Sequence, residues 1–312
     1  MRLVFFGSGS FGLPSLERMA AEHRILAVVT QPDRRAGRGG RLTPTSIADW
    51  VRARSDGAEL LTPGDVNESG LVAHLQDLEA DARVVIAYGQ KLGPDLLTGP
   101  PTINLHASLL PRWRGAAPIN HAILAGDAET GNSVIDVVDR MDAGAILGQS
   151  RRAIDPTLTA GQLHDLLAQD GAALLAQVLA RIADGTVTRT PQNEALVTRA
   201  PKLSRTDAWI DFADDAGACR RRVHWLAPWP GVSVSFRGRG LKLLRVQETT
   251  APAHEEEPGR IIDALEGTVQ CGQATSLRVL EVQPEARKAM TWRQFAIGQR
   301  VEAGERLIGG RP

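Results

Sequence analysis

The 312-residue chain is short of cysteine, of lysine and of net charge, and each shortage excludes something. Its two cysteines, Cys219 and Cys271, lie far apart and form no C-x-x-C pair. That excludes a disulfide-built scaffold and a cysteine zinc cluster, and it implies a reducing compartment. Only 4 of the 36 basic residues are lysine (Lys91, Lys202, Lys242 and Lys288), so nearly all positive charge rests on guanidinium groups. These 36 basic residues meet 36 acidic ones, for a formal charge of zero. Any nucleic-acid binding must therefore use local basic patches rather than an overall field. No uninterrupted apolar run approaches the roughly 18 residues of a membrane helix. The N-terminal run Leu3–Phe6 stops at Gly7, too short for a signal peptide. The expectation is a cytoplasmic protein without a membrane segment. What is present is ordinary globular composition, 43% apolar and 23% charged, in a length that suits two domains.

The first half alternates short apolar runs with segments of helical period. Leu3–Phe6, Ile25–Thr30, Val84–Ala87 and Thr102–His106 read as strands. Helices are predicted from Leu13, over Pro44–Arg54, around Leu71–Leu78, and over Ala160–Ala183. Strands alternating with helices predict an α/β domain, a Rossmann-like and mainly parallel sheet covered on both faces. Thr186–Pro201 has no helical period and reads as a linker. Beyond it, Val232–Phe236, Leu241–Val246, Gly259–Asp263, Thr268–Cys271 and Leu277–Val282 are five short β-type runs, which predict a small β-barrel of OB-like type. The acidic stretch Ala253–Pro258 reads as a solvated loop. The expected domains are residues 1–188, a linker over 189–203, and residues 204–312.

Gly7, Gly9 and Gly12 satisfy G-x-G-x-x-G between a strand and a helix, which admits either a dinucleotide site or a tight turn. The acidic residue that nicotinamide dinucleotides require after the second strand is missing: Thr30 and Gln31 stand there. A basic loop follows, in which Arg34, Arg35, Arg38 and Arg41 face one acid, Asp33, among several glycines. Such a loop suits phosphate and base contacts, although a solvated surface loop has the same composition.

The richest stretch is Asn104–Pro118. Asn104 and His106 are two apart on a strand and share a face, at the carboxyl end where open α/β sheets place their sites. Histidine can move protons near neutral pH, and an asparagine amide can donate to a developing oxyanion. A core histidine with a satisfied hydrogen bond is the alternative. Asp142 follows the alternating run Ser133–Val138 and could pair with a histidine, or simply occupy a turn before glycine. The other histidines, His23, His74, His121, His164, His224 and His254, show no metal-ligand spacing, so no metal is expected.

These segments together resemble the methionyl-tRNA formyltransferase family. The resemblance runs through the glycine turn, the loop Gln31–Arg41, Asn104–Pro118, Gly126–Asp127, Thr130–Gly131 and Met141–Gly144 to Pro191–Lys202 and Ala227–Gly231. It departs at Ala145, where many relatives carry proline or aspartate. The resemblance implies the formyltransferase fold with a C-terminal OB-like barrel. It implies Asn104, His106 and Asp142 as catalytic residues, and Ser108, Leu109, Leu110 and Pro111 as the folate-binding segment. Arg34, Arg35, Arg38 and Arg41 are implied to bind tRNA. The implied reaction moves a formyl group from 10-formyltetrahydrofolate to the α-amine of initiator methionyl-tRNA, by a monomer. Asn104–Pro118 alone fits any folate-dependent formyltransferase, including those acting on a sugar-nucleotide amine; the arginine loop is what favours tRNA. A nicotinamide oxidoreductase and a non-catalytic RNA-binding protein are the readings from other classes, opposed respectively by the missing acid and by the Asn104–His106 pair.

Overall fold

The computed structural model describes residues 1–36, 40–54, 57–249 and 256–310, which divide into two compact units. The first comprises Met1–Pro118, Thr130–Arg152 and His164–Arg199; the second comprises Ile119–Glu129, Ala153–Leu163 and Ala200–Pro312.

The first unit is built on a seven-stranded sheet. Its strands are β1 (Arg2–Gly7), β2 (Arg24–Val29), β3 (Glu59–Leu61), β4 (Ala82–Ile86), β5 (Thr102–His106), β6 (Glu129–Asp136) and β7 (Ile146–Ala153), in the order β7-β6-β5-β4-β1-β2-β3. β3, β2, β1, β4 and β5 pair in parallel, and β6 runs antiparallel to β5. The continuous apolar run Leu3–Phe6 is explained by burial on both faces, since all four side chains are wholly covered. On one face Val4, Phe6, Ala27 and Val29 pack with Val72, Leu75 and Leu96. The helix Ala160–Ala183 lies close against β5: a Cβ at Gly171 would come within 2.8 Å of Leu105 Cδ2. Because side chains alternate along a strand, Leu105 facing this helix sends Asn104 and His106 to the opposite face. By length and composition this helix could cross a membrane, but its apolar side chains Leu167, Leu174, Leu175, Val178 and Leu179 are buried in the fold.

Two expectations change. The basic segment after β2, expected as a loop, pairs Arg34–Ala36 with Arg41–Thr43 as an antiparallel two-stranded ribbon. The segment read as a linker is bonded into the first unit: Thr190 bridges to Ile146, and Thr198 accepts from the amide of Arg114 at 2.9 Å.

The second unit holds an antiparallel sheet of β8 (Val232–Phe236), β9 (Arg239–Thr249), β10 (Ile261–Asp263), β11 (Thr268–Gln270), β12 (Ser276–Pro284) and β13 (Leu307–Ile308), in the order β10-β11-β12-β9-β8-β13. It curls into a half-barrel, consistent with an OB-like fold. The two-residue turn between β8 and β9 has Arg237 and Gly238 both at positive φ, 49° and 74°, which matches the twist of a tight hairpin. Two helices beyond those expected from sequence, Ala216–Leu226 and Trp292–Gln299, accompany this sheet. The first is capped by Asp215, and the second by a reciprocal Thr291–Gln294 capping box. Of the Ala253–Pro258 stretch, residues 253–255 lie outside the described residues.

His224 is fully buried in this unit, and its Nε2 accepts from the amide of Val246 at 3.3 Å. Burial, helped by the charge of Arg220, lowers its pKa from 6.5 to about 4. The unfolded chain therefore takes up a proton near pH 6.5 that the fold refuses until about pH 4. The stability this represents, on the order of 3 kcal/mol, is complete above pH 6.5 and lost as pH falls towards 4. Thermal unfolding between pH 7 and 4 is expected to show this loss, and His224→Gln is expected to flatten it. An equally steep fall in the variant would assign the loss to other groups.

Candidate active site

The site grows from the carboxyl end of β5. Asn104 is half-buried, and among the described residues its carboxamide has no hydrogen-bond partner. His106, only 7% exposed, ends the strand. Its Nε2 is 2.9 Å from the carbonyl oxygen of Trp113, and its Nδ1 is 3.7 Å from Asp142 Oδ1. A ring nitrogen facing a carbonyl oxygen must carry the proton, so Nε2 donates to Trp113. This leaves Nδ1 facing the carboxylate, at an ion-pair distance longer than a hydrogen bond.

Asp142 is held from several sides. Its Oδ2 accepts from the amide of Gly115 at 2.8 Å. Its backbone has a φ of 53°, the left-handed region that few non-glycine residues enter, so surrounding contacts must hold it there. The turn that carries it abuts β6: a Cβ on Gly144 would stand 1.7 Å from the carbonyl oxygen of Asp136. Gly144→Ala is therefore expected to lose about 1–3 kcal/mol of stability and to lower kcat at the same time, by displacing Asp142. Thermal unfolding and steady-state turnover check this, and unchanged values would mean the turn has slack.

The segment Ser108–Pro111 follows β5 directly, and its polar groups are largely engaged in holding its own turn. Ser108 Oγ donates to the carbonyl of Arg112 at 2.7 Å, and the Ser108 carbonyl accepts from Ser133 Oγ at 2.6 Å. Leu110 is buried, its amide donating to Ser133 Oγ and its carbonyl accepting from Gln149, while Leu109 and Pro111 are partly exposed. In the basic ribbon Arg34 donates to Gln31 Oε1 at 2.7 Å and Arg35 to the carbonyl of Gly40 at 3.1 Å. Arg41 is exposed, and its guanidinium has no partner among the described residues. Arg38 lies outside the described residues.

The glycine turn after β1 is built for packing. A Cβ at Gly7 would lie 2.5 Å from the Phe5 ring and 2.9 Å from the carbonyl of Ile86; at Gly12 it would lie 3.1 Å from the same ring. At the end of β2, Thr30 shares a hydrogen bond with Thr45 at 2.7 Å, and the Gln31 amide donates to Ser8 Oγ. Among the described residues no group of three His, Cys, Asp or Glu side chains gathers as metal ligands would.

Sequence reasoning missed Arg114 and Gln192. Arg114 is 8% exposed and donates to Gln192 Oε1 through Nε at 3.0 Å and Nη2 at 2.7 Å, and also to Glu194. Gln192 Nε2 in turn donates to the carbonyls of Asp142 and Gly144, each at 2.8 Å. Arg140 also contacts Glu194. No periodicity marks such residues, because they act through side-chain bonds to distant backbone.

Comparison with known proteins then places the chain. Residues 1–179 match the formyl transferase family and residues 202–300 its C-terminal domain. The methionyl-tRNA formyltransferase of Acidiphilium cryptum is 42% identical over 98% of this chain and its own full length. The chain belongs to the methionyl-tRNA formyltransferase family. As a formyltransferase it is an enzyme, and its formyl donor is a folate derivative. The methionyl-tRNA formyltransferase of Thermobifida fusca is 40% identical over 98% of this chain and 99% of its own. Among solved structures, the sugar 3N-formyl transferase WlaRD superposes with a TM-score of 0.68 at 12% identity, over 92% of this chain and 99% of that one. HypX from Aquifex aeolicus, in complex with tetrahydrofolic acid, superposes at 0.64 and 15% identity, over 95% of this chain and 47% of that one. At these identities the likeness is one of fold. The mainly parallel sheet expected from sequence stands, the expected OB-like β-barrel is met by a curled antiparallel half-barrel, and membership of the formyltransferases stands too.

Proposed function

We propose that this chain transfers the formyl group of 10-formyltetrahydrofolate to the α-amine of initiator methionyl-tRNA, acting as a monomer in the cytoplasm. The observation that carries the chemistry is the half-buried Asn104 carboxamide, without a partner among the described residues, on the same strand face as a buried histidine that faces the partly buried Asp142 carboxylate. The acceptor is supported by relatives of that name at 37–42% identity over nearly the whole chain.

The free amine attacks the formyl carbon and forms a C–N bond. The carbonyl oxygen becomes an oxyanion, towards which Asn104 and protonated His106 donate, the histidine by turning its Nε2–H from the Trp113 carbonyl to the oxyanion. Asp142 orients the imidazole, its Oδ1 standing 3.7 Å from Nδ1. The amine proton reaches the folate nitrogen as the bond to that nitrogen breaks, either through a water oriented by His106 or through the imidazole itself, which gives up its own proton and takes the amine's in return. Ser108–Pro111 offers the folate an apolar and backbone surface, since the Ser108 hydroxyl is occupied within the turn. Arg34, Arg35, Arg38 and Arg41 contact the tRNA acceptor arm, and the second unit adds phosphate contacts.

Arg38→Ala is expected to lower kcat/KM for methionyl-tRNA while folate binding stays intact. Arg38→Lys is expected to recover only part of the loss, because lysine cannot make the bidentate contacts of a guanidinium. Measuring both variants at two salt concentrations checks this, and unchanged values would remove the loop from tRNA recognition. The reading as a whole is tested by offering the chain and formyl donor either methionyl-tRNA or a sugar-nucleotide amine. Formylation of the sugar amine alone would overturn the choice of acceptor.

A further inference from the structure

The side chain of Gln192 is saturated in a way that fixes its orientation. Both hydrogens of its amide nitrogen are used, one on the carbonyl of Asp142 and one on that of Gly144, each at 2.8 Å. Its oxygen accepts two N–H groups of Arg114. A flipped amide would set oxygen against two carbonyl oxygens and nitrogen against a guanidinium, so only one orientation is consistent. Arg114 is itself fixed, since its backbone amide donates to the carbonyl of Thr198 and its guanidinium reaches Glu194. The next residue, Gly115, donates to Asp142 Oδ2. The result is a closed ring of contacts: Gln192 to Arg114, Arg114 through the chain to Gly115, Gly115 to the Asp142 carboxylate, and the Asp142 carbonyl back to Gln192.

The turn is confined on β6 as well, where Gly144 has no room to move towards Asp136. The same segment controls the other partner of His106. Thr198 Oγ1 accepts from the amide of Trp113 at 2.9 Å, and the Trp113 carbonyl faces His106 Nε2. Residues 192 and 198, in a stretch with almost no regular structure, thus set both groups that orient the imidazole.

We infer that Gln192 is a positioning residue for formyl transfer, acting through the Asp142 turn on His106; this rests on the function proposed above. Gln192→Glu is the sharpest probe. A carboxylate keeps the length and the acceptor for Arg114, but it opposes two carbonyl oxygens with an acceptor. Gln192→Met, which removes both donors without adding charge, is the second variant should the first fail to fold.

In the full-length chain, each folded variant is expected to lose about 10–100-fold in kcat, the usual effect of a supporting contact to a site residue. KM for formyl donor and for methionyl-tRNA should stay within about twofold, and the melting temperature should change little. In an Asp142→Asn background the same change should cost much less, because its route to the imidazole is already cut. Independently of activity, the ¹⁵N signals of the His106 ring should move in Gln192→Glu in the same direction as in Asp142→Asn. Unmoved ring signals, an unchanged kcat, or a full additive loss in the Asp142→Asn background would each overturn the inference. So would a fall in kcat that merely follows a fall in melting temperature in both variants. A wild-type chain that forms no formyl-methionine would instead sink the functional reading, leaving the ring signals to judge the positioning role.

Discussion

His106→Ala is expected to lower kcat for formyl transfer by about 10²–10⁴-fold, the usual worth of a positioned proton-transfer group. The side chain makes two polar contacts, to the Trp113 carbonyl and to the carboxylate of Asp142. Neither carries the fold, because Asp142 keeps its bond to Gly115 and its carbonyl keeps Gln192. Substrate affinities should therefore change little while turnover collapses, the pattern of an interaction made mainly in the transition state. Steady-state kinetics on variant protein with a normal melting temperature checks this. Near wild-type turnover in a folded variant would remove His106 from the mechanism.

Asn104→Ala is expected to cost about 10²–10³-fold in kcat, the range found when one donor to an oxyanion is removed. Its effect on stability should be small, since the carboxamide has no partner among the described residues to lose. Asn104→Asp should be at least as slow, because a carboxylate there would repel the developing oxyanion instead of donating to it. A fast Asn104→Ala enzyme would mean that the oxyanion is stabilised by other groups.

The legibility of the chain divides along physical lines. β1 could be read because burial on both faces leaves four apolar residues in a row. β3 could not, being a three-residue edge strand with one charged residue. β7 hid for a similar reason: of Ile146–Ala153 only Leu147 is fully covered, and two arginines interrupt the pattern. The helix Ala216–Leu226 carried a usable signal in the 3–4 spacing of Ala216, Cys219, Val223 and Leu226, which its run of arginines obscured.

At the site, Asn104 and His106 were legible as a pair because strand alternation puts i and i+2 on one face. That Asp142 reaches His106 was not, since the contact joins two elements far apart in sequence through a turn with positive φ. Gln192 was the least legible of all. It lies outside any helix or strand and works through four hydrogen bonds, two to backbone carbonyls and two to a buried arginine. Composition and periodicity carry no trace of such an arrangement.

The central claim is that this chain formylates methionyl-tRNA through Asn104 and His106. The most direct measurement is a single turnover with enzyme and 10-formyltetrahydrofolate in excess over initiator methionyl-tRNA, run with the wild-type chain and with the Asn104→Ala/His106→Ala double variant, reading formyl-methionine released from the tRNA. The expected result is complete conversion by the wild type and little above background by the folded double variant. No formyl-methionine from the wild type, or equal rates from both, would contradict the account.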